Sequence, residues 1–261
     1  MSEAAISVDK VSFAYDKTVV LNNINLSVPR NRICFIMGNN GSGKTTLLKN
    51  IMGFLSPQSG QILIADKDVS KIDKLSMSKL ISYVPQAIHL NTDFSVIDYL
   101  LLGRTPHIGV MNRLRQSDYE IIERYAHRLG IDTIFDATFN KLSGGQKQII
   151  AIARSLIQDT PIIIMDEPMS ALDIGKQVEL IQLLRELAES KTIILTTHNP
   201  NHALAIDSDA CFMEHGEIIA YGNSQQLIRN DLLKKIYGNN IALDHGVITN
   251  SVVFNVSIEN K

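Results

Sequence analysis

Apolar positions along the chain fall into short β-branched runs that alternate with longer stretches of helical spacing, the pattern of a layered α/β fold. ISVDKVSFAY (6–15) alternates like a half-buried antiparallel strand, and INLSVP (24–29) and RICFIMG (32–38) continue a strand-rich opening. The run 33–37 is short and wholly apolar, as a central strand is. It stops at a glycine-rich turn before TTLLKNIMGF (45–54), which has helical spacing. PIIIMDEP, KTIILTTH, ACFMEHG and EIIAYG read as strands, with VELIQLLRELAES (178–190) a helix between the first two. This alternation predicts a parallel sheet buried on both faces. From about residue 95 to 156 the strand signal fades, and SVIDYLLLGR, SDYEIIERYAHRLG and GGQKQIIAIARSLIQ predict helices. We therefore expect an α/β core formed by residues 1–86 and 160–261 and a helical subdomain, 87–159, inserted into it. Residues 242–261 alternate around a glycine and predict a small β-hairpin or exposed appendage. No internal repeat is evident.

Composition narrows the function classes. A chain of 261 residues, 45% of them apolar, can bury a substantial core. A formal charge of −2 excludes the broad basic footprint of a dedicated nucleic-acid binder, so no nucleic-acid partner is expected. No apolar stretch approaches the roughly 18–20 residues needed to cross a bilayer. The opening MSEAAISVDK carries acid and no apolar core, unlike a signal peptide. Cys34 and Cys211 sit in apolar strand-like runs, which predicts buried thiols in a reducing compartment.

The candidate chemistry begins at Gly38-Asn39-Asn40-Gly41-Ser42-Gly43-Lys44-Thr45-Thr46, a G-x-x-x-x-G-K-[ST] run with an apolar strand before it and a helix after it. Glycines let successive backbone N–H groups wrap phosphate oxygens, and the helix starting near Lys44 adds its positive N-terminal end. Lys44 is placed to reach β- and γ-phosphates, the Thr45 hydroxyl to ligate Mg²⁺, and Thr46 to donate a further bond. Downstream, residues 162–167 form an apolar strand ending in two acids. Strand alternation aims the two side chains differently, so Asp166 can hold Mg²⁺ while Glu167 polarises the attacking water.

Leu142-Ser143-Gly144-Gly145-Gln146, opening a helix, resembles the signature of the ATP-binding cassette (ABC) transporter ATPases, and the chain resembles them over nearly its whole length. Tyr15 looks like the aromatic that stacks on adenine, and Gln86 in SYVPQ like the Q-loop glutamine beside the metal and the reacting water. Ser170-Ala171-Leu172-Asp173 looks like the D-loop, and His198 in LTTHNP like the switch histidine. The resemblance implies a P-loop NTPase (RecA-like) core with an N-terminal antiparallel β subdomain and an inserted α-helical subdomain. It also implies ATP and Mg²⁺ as ligands. Two copies would sandwich ATP, with Ser143, Gly144 and Gly145 acting in trans on the partner's nucleotide and Gln146 among the nucleotide-binding residues. Lys44, Glu167 and His198 would act on the subunit's own. Transmembrane permease subunits, and indirectly a substrate-binding protein, are the implied partners, which places the chain peripherally on the cytoplasmic membrane face. Three positions depart from the family pattern: Asn39 stands where proline is usual, Met169 where threonine is usual, and Asn199 where aspartate is common.

GRTPH (103–107) resembles the same segment of importer ATPases for iron-siderophore, haem, cobalamin and related metal chelates. Its plain structural reading is a helix end, with Gly103 a breaker and Pro106 in a turn. An exporter ATPase, or a cassette acting in DNA repair, translation or cofactor assembly, is the alternative class. The basic residues scattered over 104–128 are interspersed with acids and predict a solvated helix face. Met111 and the LLLG cluster suit either a docking patch or core packing. His198 and His202 have the spacing of a metal pair but no third ligand, so His202 is expected to pack.

Overall fold

The computed structural model describes residues 4–88, 90–108, 113–245 and 250–254; Met111 and the last residues of the expected terminal hairpin lie outside them. In chain order the elements open with strands β1 (Ala4–Tyr15), β2 (Thr18–Pro29) and β3 (Ile33–Met37), then helix α1 (Lys44–Ile51). β4 (Ser59–Ile64), β5 (Lys67–Asp68), α2 (Lys74–Leu80), β6 (Ile81–Val84) and α3 (Val96–Leu101) follow. Next come α4 (Gln116–Arg128), α5 (Gly144–Ile157), β7 (Ile162–Met165), α6 (Ile174–Leu187), β8 (Thr192–Thr197) and α7 (Pro200–Leu204). β9 (Asp209–Glu214), β10 (Glu217–Asn223), α8 (Ser224–Leu227), α9 (Asn230–Tyr237), β11 (Ile241–His245) and β12 (Asn250–Phe254) complete the chain. Residues up to Lys71 and from Ile181 onward form one compact unit, and Ile72–Leu180 form a second.

The first unit carries the predicted N-terminal antiparallel sheet, in the order β2-β1-β4-β5. Ile6 and Val8 of β1 are buried on alternate positions, and a register shift at Lys10, with a φ of +49°, moves the buried set to Val11 and Phe13. In the same unit β3 runs parallel to both β8 and β9, and β10 closes antiparallel on β9. Every residue of β3 and β8 is buried; β3 is accordingly apolar throughout, while β8 sets an apolar centre, Ile193, Ile194 and Leu195, between buried threonines. Cys34 and Cys211 are free thiols buried on neighbouring strands, and burial pushes Cys211 up to about 12, so neither is a reactive thiolate near neutral pH. β11 and β12 pair antiparallel as the expected terminal hairpin.

The second unit is mainly helical around the short parallel pair β6 and β7. α5 is its longest buried element; Ile150, Ala153 and Ile157 are wholly buried. β6 was not foreseen, because ISYV is too short and mixed to register as a strand. α3 ends sooner than SVIDYLLLGR suggests and continues as a 3-10 turn over Leu102–His107, with Pro106 inside it. Gly103 is therefore not a simple breaker. A Cβ there would stand 2.7 Å from the Arg154 carbonyl oxygen, so glycine is what lets this turn lie on α5. The solvated-face reading of 104–128 fails at two positions. Arg104 and Asp118 are buried, and Arg104 Nε meets Asp118 Oδ1 at 2.8 Å.

Candidate functional site

The phosphate-loop residues leave β3 and enter α1 as predicted. Gly38 has a φ of +145°, and a Cβ on it would lie 2.1 Å from the Met213 carbonyl oxygen, so no other residue fits this turn. Gly43, at the N-cap of α1, has a φ of +103°. Lys44 is 8% exposed, and its Nζ donates to the carbonyl oxygens of Gly38 and Asn39 at 2.8 and 3.1 Å. The ammonium thus lies across its own loop. Ser42 and Thr46 are buried, Thr45 is half-buried, and Asn39, Asn40 and Gly41 are exposed at the loop surface. Tyr15, at the end of β1, is 44% exposed and meets Phe13 edge-on at 4.9 Å, leaving ring area for a flat partner.

Two departures from the family pattern acquire structural roles in this unit. The Asn39 side chain donates to the Ile236 carbonyl oxygen in α9 at 2.8 Å, a bond proline cannot make. Asn199 caps α7 by accepting from the Asn201 N–H, as an aspartate would. His198, exposed after β8, shares with Asn39 and Asn40 the wall of a cavity of about 700 Å³. His202 packs, as expected: it is buried and hydrogen-bonds through Nδ1 to the Thr197 hydroxyl at 2.9 Å. Burial, with His198 adding to it, lowers its pKa to about 4, so it is neutral at physiological pH.

In the second unit β7 ends in the two acids. Asp166 is 2% exposed, its N–H donates to the Val84 carbonyl, and its charge, after burial, helps raise Tyr83 to about 12. Glu167 is 8% exposed and has a φ of +49°, a left-handed conformation costing about 1–2 kcal/mol in a non-glycine residue. The turn is held by Ser170, whose hydroxyl and N–H both donate to the Glu167 carbonyl. Met169 is buried as a packing residue, and the Gln177 amide donates to the Met169 and Leu172 carbonyls, so the D-loop backbone does not depend on a threonine there. Gln86 is exposed just past β6.

Ser143 is the N-cap of α5. Its hydroxyl accepts from the Gln146 N–H, and Gln146 Oε1 accepts from the Ser143 N–H, a closed capping box. Both signature side chains thereby fix the helix start. Gly145 approaches the Ala171 carbonyl so closely that a Cβ would lie 3.0 Å from it. Ser143, Gly145, Gln146 and Asp173 share a cavity of about 620 Å³, so signature and D-loop are brought together within this unit. Asp173 caps α6 through the Lys176 N–H at 2.9 Å.

Taken singly, the Thr45 hydroxyl, Gln86 carboxamide and Asp166 carboxylate each offer an oxygen donor, the hard kind that suits Mg²⁺ keeping several waters. Among the described residues no group of three His, Cys, Asp or Glu could hold a metal, and no helix is long and apolar enough to cross a membrane. Sequence reasoning missed the Arg104 cluster. Arg104 also donates to the Ile157 carbonyl at 2.9 Å, and His107 Nε2 donates to that of Gln158 at 2.7 Å. GRTPH therefore caps the C-terminus of the helix whose N-terminus is the signature. An arginine beside a glycine ahead of a helix rich in acids was the available signal.

The ABC transporter family model matches residues 21–170. An uncharacterized ABC transporter ATP-binding protein of Methanocaldococcus jannaschii is 37% identical over 240 residues, 91% of this chain and 93% of that protein. A probable iron chelatin transport ATP-binding protein of Helicobacter pylori is 34% identical over 199 residues, 75% of this chain and 78% of its own length. Among solved structures, an inward-facing ABC transporter assigned to the metal-chelate type matches with a TM-score of 0.82 at 27% identity, covering 97% of both chains. With its phosphate loop, acidic strand end and capped signature in that family's order, the chain belongs to the ABC transporter family and is an ATP-binding, ATP-hydrolysing subunit of the P-loop NTPase fold.

Proposed function

We propose that this chain drives uptake of a metal chelate, such as an iron-siderophore complex, haem or cobalamin, through a partner permease. The observation that carries the reading is the likeness over 97% of both chains to a transporter assigned to the metal-chelate type. The GRTPH turn and the iron chelatin relative support it. In this reading residues 1–86 and 160–261 make the nucleotide core and 87–159 the signature subdomain. The chain sits peripherally on the cytoplasmic membrane face, held there by the permease, with a substrate-binding protein delivering cargo from the other side.

Tyr15 stacks on the adenine, and backbone N–H groups of residues 39–46 together with Lys44 hold the phosphates. Thr45, Asp166 and Gln86 hold Mg²⁺, which when bound neutralises charge on the β- and γ-phosphate oxygens. Glu167 takes the proton of the attacking water, and His198 hydrogen-bonds the γ-phosphate as charge develops. The N–H groups at the start of α5, with this chain's own Asp173 beside them, face the γ-phosphate held by a second copy. ATP then joins the two copies, and its cleavage separates them.

The test is reconstitution with its own permease in proteoliposomes, with uptake of ferric hydroxamate, haem, cobalamin and free manganese measured with and without ATP. ATP-dependent accumulation of one of the three chelates supports the reading. Export only, uptake of manganese alone, or recovery with ribosomes or DNA rather than a permease would overturn it. Glu167→Gln should bind ATP, dimerise and lose at least about 100-fold in hydrolysis; wild-type turnover would remove Glu167 from the role of base.

A further inference from the structure

We propose that Asn201 is a positioning residue for His198, and that it acts by bracing the switch segment against the C-terminal hairpin. The inference rests on the reading of His198 as the histidine that meets the γ-phosphate. His198 lies between the end of β8 and the first turn of α7, and Asn201 is the second residue of that turn. The Asn201 carboxamide makes two bonds to one residue of β12: Nδ2 donates to the Val252 carbonyl at 3.1 Å, and Oδ1 accepts from the Val252 N–H at 2.6 Å. A side chain thereby occupies the place of a neighbouring strand on that edge.

The hairpin is itself fixed. Val252 stands opposite Leu243, and the Leu243 N–H donates outward to Asn230 Oδ1 of α9 at 2.6 Å. The opposed pair thus directs both N–H groups away from the ladder, one to α9 and one to Asn201. At the other end of α9 the Ile236 carbonyl accepts from Asn39. The C-terminal segment is tied to the second residue of the phosphate loop on one side and to the switch segment on the other. It frames the 700 Å³ cavity bounded by Asn39, Asn40 and His198, since Ile241 and Val252 line the same cavity. A brace of this kind holds a histidine in register with the loop, and small errors in such placement cost rate more than affinity.

Asn201→Ala removes both bonds, and Asn201→Asp removes the donor and sets a carboxylate against the Val252 carbonyl. Val252→Pro removes the single outward N–H at an edge position that tolerates proline. ATP turnover, KM for ATP and thermal melting are measured on the full chain for each variant, for Asn201→Ala/Val252→Pro combined, and for His198→Ala in parallel. The expected result is a kcat about tenfold lower in each single variant, KM within about twofold, and a double variant no worse than the singles. Wild-type kcat in Asn201→Ala and Val252→Pro, with His198→Ala inactive, overturns the brace and leaves the role of His198 standing. A KM that rises in step with the loss overturns it too, as a general loosening of the nucleotide site. Wild-type turnover in His198→Ala removes the role of His198 and the inference with it.

Discussion

Replacing Arg104 with methionine takes away a buried cation and leaves its partner behind. Asp118 keeps a side-chain exposure of 9%, and its carboxylate accepts from Arg104 Nε and from the Arg115 N–H, both at 2.8 Å. Burial alone would raise its pKa, but the Arg115 N–H and Arg104 outweigh it and hold the acid below its ordinary value. Removing one member of a buried pair costs about 3–5 kcal/mol, because the remaining charge stays in a poor solvent. The Ile157 carbonyl also loses its charged donor. Taking about 3 kcal/mol, and about 2–4 °C per kcal/mol for a chain of this size, Arg104→Met should melt about 6–12 °C below wild type at pH 7. Arg104→Met/Asp118→Leu leaves no buried charge and should recover most of the loss. Circular dichroism melts of wild type, Arg104→Met, Asp118→Leu and the double variant check this. Asp118 has a folded pKa below its unfolded value of about 3.9. Its contribution is therefore present above that pH and is lost as pH falls through the depressed value, so wild type and Asp118→Asn should converge in acid. An Arg104→Met melt within about 2 °C of wild type, or a double variant worse than either single, would refute the reasoning.

Gly103→Ala forces a Cβ against the Arg154 backbone and should lower stability by about 1–3 kcal/mol, read as an earlier urea midpoint with an unchanged slope. Ser143→Ala removes the cap of α5 and should cost about 1 kcal/mol of stability in the same titration. His202 titrates near 4 when folded and near 6.5 unfolded, so the unfolded chain binds more protons between those values. Stability should be full above about pH 6.5 and fall as pH drops toward 4, a slope that His202→Asn should flatten when unfolding is followed from pH 7 to 4.5.

Local features of the fold were readable because they are written in consecutive residues. β3 is five buried residues followed by a turn that needs glycine, and the 38–46 run announces both the strand end and the helix start. The Ser143 and Gln146 capping box is a three-residue spacing. What was not legible spans long separations. Asn201 meets Val252 across 51 residues, and Arg104 meets Ile157 across 53. Neither periodicity nor composition marks an amide or a guanidinium as destined for a backbone carbonyl so far along the chain. The role of Asn39 where proline is usual was not legible either, because its bond to Ile236 belongs to a helix nearly 200 residues away. β6 escaped for a different reason, since four residues carry too little alternation to be told from a loop.

The clasp at the end of α5 turns that helix into a lever. Its 14 residues span about 21 Å, with Gly144 and Gly145 at one end and the Arg104 and His107 bonds at the other. A tilt of about 10° pivoted at the clasp carries the signature end through about 4 Å, more than the length of a hydrogen bond. Under the proposed function, movement of the 103–107 turn would thus be enough to make or break the hydrogen bonds that the helix start offers a phosphate.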